Sequence, residues 1–172
     1  METLRVWFYD PVQDTHGIFN KMVAYADPPF CHCELQFEDT TACSIYVGSK
    51  VIMKQRQFDP KYYTAVQLRV PREKADLAYA LCLEKLNSGV SFSSMQMLSC
   101  LYPWRRTHTD KNYTFCSKLV TEMLVAAEVL PRGTSTNITP SALHRLIAGM
   151  QGVEQRKIDP LEFKEGVELD IF

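Results

Sequence analysis

Cys116 is followed by Leu119, Val120, Met123, Leu124 and Ala127, apolar residues at the i+3, i+4, i+7, i+8 and i+11 positions of one helix face. The cysteine therefore opens an amphipathic helix on its inward side. A thiol does nucleophilic chemistry as its thiolate, and the unpaired N–H groups and macrodipole at a helix N-terminus favour that anion. Placement alone does not separate such a thiol from a cysteine filling space in a core. Nucleophilic catalysis also requires an imidazole to share the thiol proton and a polar group to hold that imidazole. Four histidines compete. His16 and His108 fall in loop-like stretches, and His144 lies on a helical segment flanked by Leu143 and Leu146, which leaves His32 as the one set on a strand. There Cys33, Leu35 and Phe37 alternate with His32, Glu34 and Gln36, the period of a half-buried strand. His32 and Glu34 share a face, so the carboxylate can orient the ring and stabilise an imidazolium. The bland reading of Glu34 is a solvated strand residue.

Elements that could position this pair follow from periodicity and breakers. Leu4 to Tyr9 reads as a strand ending at Asp10-Pro11, and Ile18 to Tyr25 as a short helix broken by Asp27-Pro28-Pro29. The strand Cys31 to Phe37 turns at Glu38-Asp39-Thr40-Thr41 and returns over Ala42 to Val47 as a hairpin, followed by strands over Val51 to Gln57 and Thr64 to Val70. Ala75, Ala78, Leu81, Cys82 and Leu86 form an apolar stripe on a helix stopped at Asn87-Ser88-Gly89. Ser93 to Leu101 reads as another helix. A last helix, capped by Thr139 with Pro140 in its first turn, runs to Gly149. The expected class is α+β, a small antiparallel sheet packed against a helical layer. Residues 1–150 form the domain and 151–172 a docked extension.

Bulk properties exclude little. The 172 residues are 46% apolar and 23% charged, with a formal net charge of −1. The whole chain therefore presents no field that would draw nucleic acid. No stretch approaches the roughly 18 apolar residues of a membrane span, and Met1 to Asp10 reads as a strand instead of a signal peptide. A cytoplasmic protein is expected, with the cysteines at 31, 33, 43, 82, 100 and 116 as reduced thiols.

Tyr113-Thr114-Phe115-Cys116-Ser117-Lys118-Leu119-Val120, opening a helix, resembles the nucleophile segment of the NlpC/P60 superfamily of papain-like enzymes. Gly89-Val90-Ser91-Phe92 resembles the Gly-x-x-aromatic segment that precedes it, and Ile138-Thr139-Pro140-Ser141-Ala142-Leu143 a helix that follows it. His32-Cys33-Glu34-Leu35-Gln36-Phe37 lies before the cysteine, so the resemblance is to the circularly permuted branch, which includes phage and large-DNA-virus proteins and cellular acyltransferases. The resemblance implies a permuted papain-like fold with Cys116 as nucleophile and His32 as base. It also opens a second candidate for the third position, because relatives often take the orienting group from the next strand, where this chain has Ser44, twelve residues after His32. It implies acyl transfer without a cofactor on a polypeptide or acyl-bearing substrate: a thiol peptidase or amidase first, an acyltransferase or thioesterase on lipid substrates as the alternative. For a viral member the location would be the host cytoplasm.

Two other patterns compete. Cys31, His32, Cys33 and Cys43 could suggest zinc, but adjacent residues of a strand point to opposite faces, so Cys31 and Cys33 cannot share a centre with His32, and the usual Cys-x₂₋₄-Cys spacing is missing, so no metal is expected. Trp104-Arg105-Arg106 opens a basic loop running to Lys111, suited to carboxylate or phosphate oxygens. With Phe92 and Tyr113, these three residues are the candidate substrate contacts, and the loop is where a catalytically inactive binding module would take its partner.

Overall fold

The computed structural model describes residues 1–11, 18–101, 110–150 and 154–156. Its centre is β1 (Glu2–Tyr9), whose branched and aromatic residues pair antiparallel with β2 (His32–Gln36) on one side and β5 (Tyr63–Val70) on the other. β3 (Thr41–Ser44) returns beside β2, and β4 (Ile52–Gln55) beside β3. A short β8 (Glu154–Arg156) pairs with β5, giving a six-stranded antiparallel sheet in the order β4-β3-β2-β1-β5-β8. The expected class, α+β with an antiparallel sheet, is what the chain adopts.

One face of the sheet carries Leu4, Val6, Phe8, Cys33, Leu35, Cys43, Val66 and Leu68 into the main core. Over it pack α2 (Arg72–Asn87), which buries Ala75, Ala78 and Cys82, and α4 (Cys116–Ala126), which buries Cys116, Leu119, Val120, Met123 and Leu124. The apolar spacing that defined both helices in sequence is the face each presents to the sheet. α2 ends where Gly89 takes a φ of 65°, a left-handed conformation that costs glycine little. α1 (Ile18–Ala26) and the one-and-a-half-turn α3 (Ser94–Ser99) complete the helices before α4. β6 (Ser91–Phe92) and β7 (Tyr113–Thr114), a parallel two-residue pair, set the chain at the start of α4.

α5 (Pro140–Ala148) begins as the sequence predicts, with Thr139 accepting from the Ala142 N–H at 3.0 Å and Pro140 in the first turn. It also ties down the approach to β2. Arg145 pairs with Asp27 at 3.0 Å, Thr139 hydrogen-bonds the same carboxylate, and Ser141 Oγ accepts from the Phe30 N–H at 2.9 Å and donates to the Asp27 carbonyl at 2.7 Å. The chain therefore enters β2, and reaches His32, from a fixed direction.

Three expectations need correction. The strand carrying His32 is not half-buried: Glu34 and Gln36, on the face away from the helices, are 0% and 5% exposed. A second, smaller cluster of Trp7, Ala42, Phe58 and Ala65 covers that face, with Trp7 stacked on Phe58 at 4.6 Å and donating through its indole N–H to Gln36 at 2.9 Å. The strand expected over Val51 to Gln57 ends at Gln55, because the chain there turns to carry Arg56 and Phe58 over the second face. The cysteines are not all reduced: Cys43 on β3 and Cys82 on α2 face each other across the core with Cα atoms 6.6 Å apart and form a disulfide.

Candidate active site

The thiol of Cys116 lies at the first residue of α4, whose N-cap, Phe115, offers no side-chain hydrogen bond. The first intrahelical bond of this terminus runs from the Leu119 N–H to the Phe115 carbonyl, so the N–H groups of Cys116, Ser117 and Lys118 precede the helical ladder. Ser117 Oγ donates to the Ile138 carbonyl at 2.7 Å, which fixes this turn to the segment leading into α5. α4 packs against β2, and there Cys116 lies close enough to the Cys33 thiol and the His32 ring for the three groups to shift one another's charge.

His32 projects from the first residue of β2, with its side chain 12% exposed. Its Nε2 lies 3.3 Å from Glu34 Oε1 and 3.3 Å from Ser44 Oγ. Both candidates for the orienting position therefore touch the same nitrogen, which leaves Nδ1 as the ring atom able to serve the thiol. The ring is stacked on Tyr46 at 4.9 Å and 27°. Extending the β2–β3 register Leu35↔Cys43 by three residues sets Tyr46 opposite His32 and Ser44 opposite Glu34, which explains why these four side chains meet.

Glu34 is wholly buried as a charge and is compensated accordingly. Arg56 reaches its two oxygens at 2.6 and 2.7 Å, the Tyr46 hydroxyl donates to Oε1 at 2.9 Å, and Arg56 also hydrogen-bonds that hydroxyl. The guanidinium sits 4.8 Å from the Phe58 ring centroid, in the range of a cation–π contact. Gln36 donates to the Arg56 carbonyl at 2.8 Å and so holds the backbone that presents the guanidinium. The second cluster is the wall that makes this carboxylate dry.

Electrostatics follow from these contacts. Burial opposes the charged form of Glu34, but the His32 ring and Arg56 outweigh it and hold the carboxyl below its ordinary value. Burial would lower the His32 pKa as well, yet its contacts with Cys116 and Glu34 raise it to about 9. The Cys116 thiol is held well below its ordinary value by the neighbouring Cys33, against burial and with further help from His32. Cys33 moves the other way, pushed up by burial and by its neighbour's charge. These contacts therefore favour a thiolate on Cys116 and an imidazolium on His32, backed by a buried carboxylate and a buried guanidinium.

The structure thus brings Cys116, His32, Glu34 and Ser44 together. Phe92 pairs with Thr114, two residues before Cys116, and Tyr113 beside it is 43% exposed. Trp104, Arg105 and Arg106 lie outside the described residues, as do His16 and His108. His144, half-buried, packs against the core, 5.0 Å from Phe8 and 4.8 Å from Phe30 between ring centroids. Sequence reasoning missed Arg56, Tyr46 and the contact of Cys33 with Cys116. Tyr46 alone had a usable signal, since it follows Glu34 by the same twelve residues that separate Ser44 from His32. Comparison with family models, with curated proteins and with solved structures finds no match to this chain. No helix among the described residues is long and apolar enough to cross a membrane.

Proposed function

We infer that the chain is a cysteine-dependent hydrolase, a thiol peptidase or amidase working through an acyl-enzyme. One observation carries the reading: the His32 ring is shared between the Cys116 thiol at a helix N-terminus and the buried Glu34 carboxylate. In this reading the Cys116 thiolate attacks a substrate carbonyl carbon, and the oxyanion is held by N–H groups of the first turn of α4. His32, already an imidazolium, gives its proton to the leaving amine. The neutral ring then takes a proton from the water that attacks the thioester, and Cys116 departs as a thiolate. Glu34 holds the ring's tautomer and stabilises its charge throughout. A histidine strand preceding the cysteine helix, with the α5 segment after it, also supports a permuted NlpC/P60 arrangement, in which water as the acceptor makes a hydrolase and another nucleophile makes a transferase.

The test is selective labelling of the native protein with iodoacetamide at neutral pH, followed by mass mapping. Cys116 should label ahead of Cys31, Cys33 and Cys100, and His32→Ala should remove that lead. Equal labelling of all four, or a lead that survives His32→Ala, would sink the reading.

A further inference from the structure

Cys33 has no part in the acyl-transfer chemistry just described, yet α4 packs on β2 so that the Cys33 and Cys116 thiols are neighbours in one buried cluster and each acts on the other's charge. It stands one residue along β2 from His32, wholly buried, on the face that meets the helices. On that same face the next strand carries Cys43, bonded to Cys82 of α2. The sheet thus holds two cysteines toward the helical layer, and a cysteine from an overlying helix meets each one. One pair is already a disulfide, and the other is a dithiol.

We propose that Cys33 and Cys116 form a redox-active dithiol that a small hydroperoxide oxidises to a disulfide, blocking the nucleophile, and that a dithiol reductant reopens. The proposal rests on the reading of Cys116 as a reactive thiolate. The roles within the pair differ. Cys116, at the helix terminus and beside the partly exposed His32 ring, is the attacking sulfur; Cys33, kept protonated by burial, is the resolving one. In the first step the Cys116 thiolate attacks the terminal peroxide oxygen and the O–O bond breaks. This leaves a sulfenic acid on Cys116 and an alkoxide that takes the His32 proton and departs as an alcohol. In the second, the Cys33 sulfur bonds to the Cys116 sulfur as the S–O bond breaks, and the hydroxide leaves as water with the Cys33 proton. Two thiols lose two electrons, and the peroxide gains them. Forming the bond requires the two sulfurs to close to about 2.05 Å, a movement between elements already packed together. Reduction by a dithiol is ordinary thiol–disulfide exchange.

The experiment treats the full chain with hydrogen peroxide, alkylates the remaining thiols after denaturation, and maps them after chymotryptic cleavage. Cleavage after Phe37 separates Cys33 from Cys43. The expected result is a linkage between the Cys33 and Cys116 peptides, loss of iodoacetamide labelling at both, and recovery of both on dithiothreitol. In Cys33→Ala and in Cys33→Ser, peroxide should instead carry Cys116 to a sulfinic acid that dithiothreitol does not restore; the wild-type linkage decides the question if neither variant folds. Sulfinic acid on wild-type Cys116 with Cys33 still alkylatable, or a link from Cys116 to Cys31 or Cys100, overturns the proposal. If Cys116 still leads in native iodoacetamide labelling, that result leaves its assignment as nucleophile standing. A Cys116 that neither leads in labelling nor reacts with peroxide overturns both.

Discussion

The carboxylate of Glu34 lies 3.3 Å from Nε2 of His32, at the same distance as the Ser44 hydroxyl. Distance therefore does not choose between them, but charge does. A carboxylate stabilises the imidazolium and with it the Cys116 thiolate, whereas a hydroxyl only orients the ring. Glu34→Gln should shift the pH profile of Cys116 alkylation to the alkaline side, with about tenfold loss of rate on the acid limb of the profile for each pKa unit moved. Ser44→Ala should move the same profile by less than about one unit. A larger displacement in Ser44→Ala than in Glu34→Gln would make Ser44 the orienting residue.

Arg56 is 5% exposed and holds both Glu34 oxygens. Removing either partner strands a buried charge, so Arg56→Gln and Glu34→Gln should each lower stability by roughly 3–5 kcal/mol in denaturant titrations. The double variant strands neither. Its loss should fall well short of the sum of the two, the non-additivity expected of one compensated pair. Additive losses would show that Glu34 does not depend on Arg56.

How much of this was legible follows from the range of each contact. The helix opened by Cys116 and the shared face of His32 and Glu34 are local periodicities, and each appears in the chain where it was expected. The burial of Glu34 is not local. It depends on Trp7 stacking against Phe58 from a different part of the chain, and no alternation within β2 announces that cover. Arg56 sat at the end of a stretch that reads as a strand, and its role appears only because the strand stops at Gln55. Likewise β8 joins the sheet by pairing with β5, Ala65 opposite Arg156, a long-range match that three residues of sequence cannot specify.

The Cys43–Cys82 disulfide was missed for a related reason: the packing of α2 over β3 brings the two together from positions 39 residues apart. Chain entropy makes a bridge of that span worth about 2–4 kcal/mol. Thiol titration of the denatured, unreduced protein should find Cys31, Cys33, Cys100 and Cys116 free and Cys43 and Cys82 blocked. The Cys43→Ala/Cys82→Ala variant should lose stability in that range. Six titratable thiols in freshly prepared protein would contradict the bridge.

The thiolate–imidazolium pair also sets a pH dependence of stability, whose sign comes from two opposed displacements. Despite burial, contacts with Cys116 and Glu34 raise the His32 pKa from 6.5 to about 9. Its contribution is therefore complete below 6.5 and is lost as pH rises through about 9. Cys116 is displaced downward from 9.0 by the Cys33 thiol, against burial, and by His32, so its contribution is present above 9.0 and lost as pH falls through the depressed value. Between 6.5 and about 9, and above the depressed Cys116 value, the folded protein keeps an imidazole proton that the unfolded chain releases, and lacks a thiol proton that the unfolded chain keeps. The two slopes cancel, and the pair contributes nearly constant stability across this window. Cys116→Ser removes the thiol slope and part of what raises the His32 pKa, leaving Glu34 to favour the imidazolium. The melting temperature of Cys116→Ser should therefore fall as pH rises above 6.5, over a window that closes below about 9, while the wild type stays nearly level. Parallel curves for the two proteins would mean that Cys116 and His32 are not an ion pair in the folded chain.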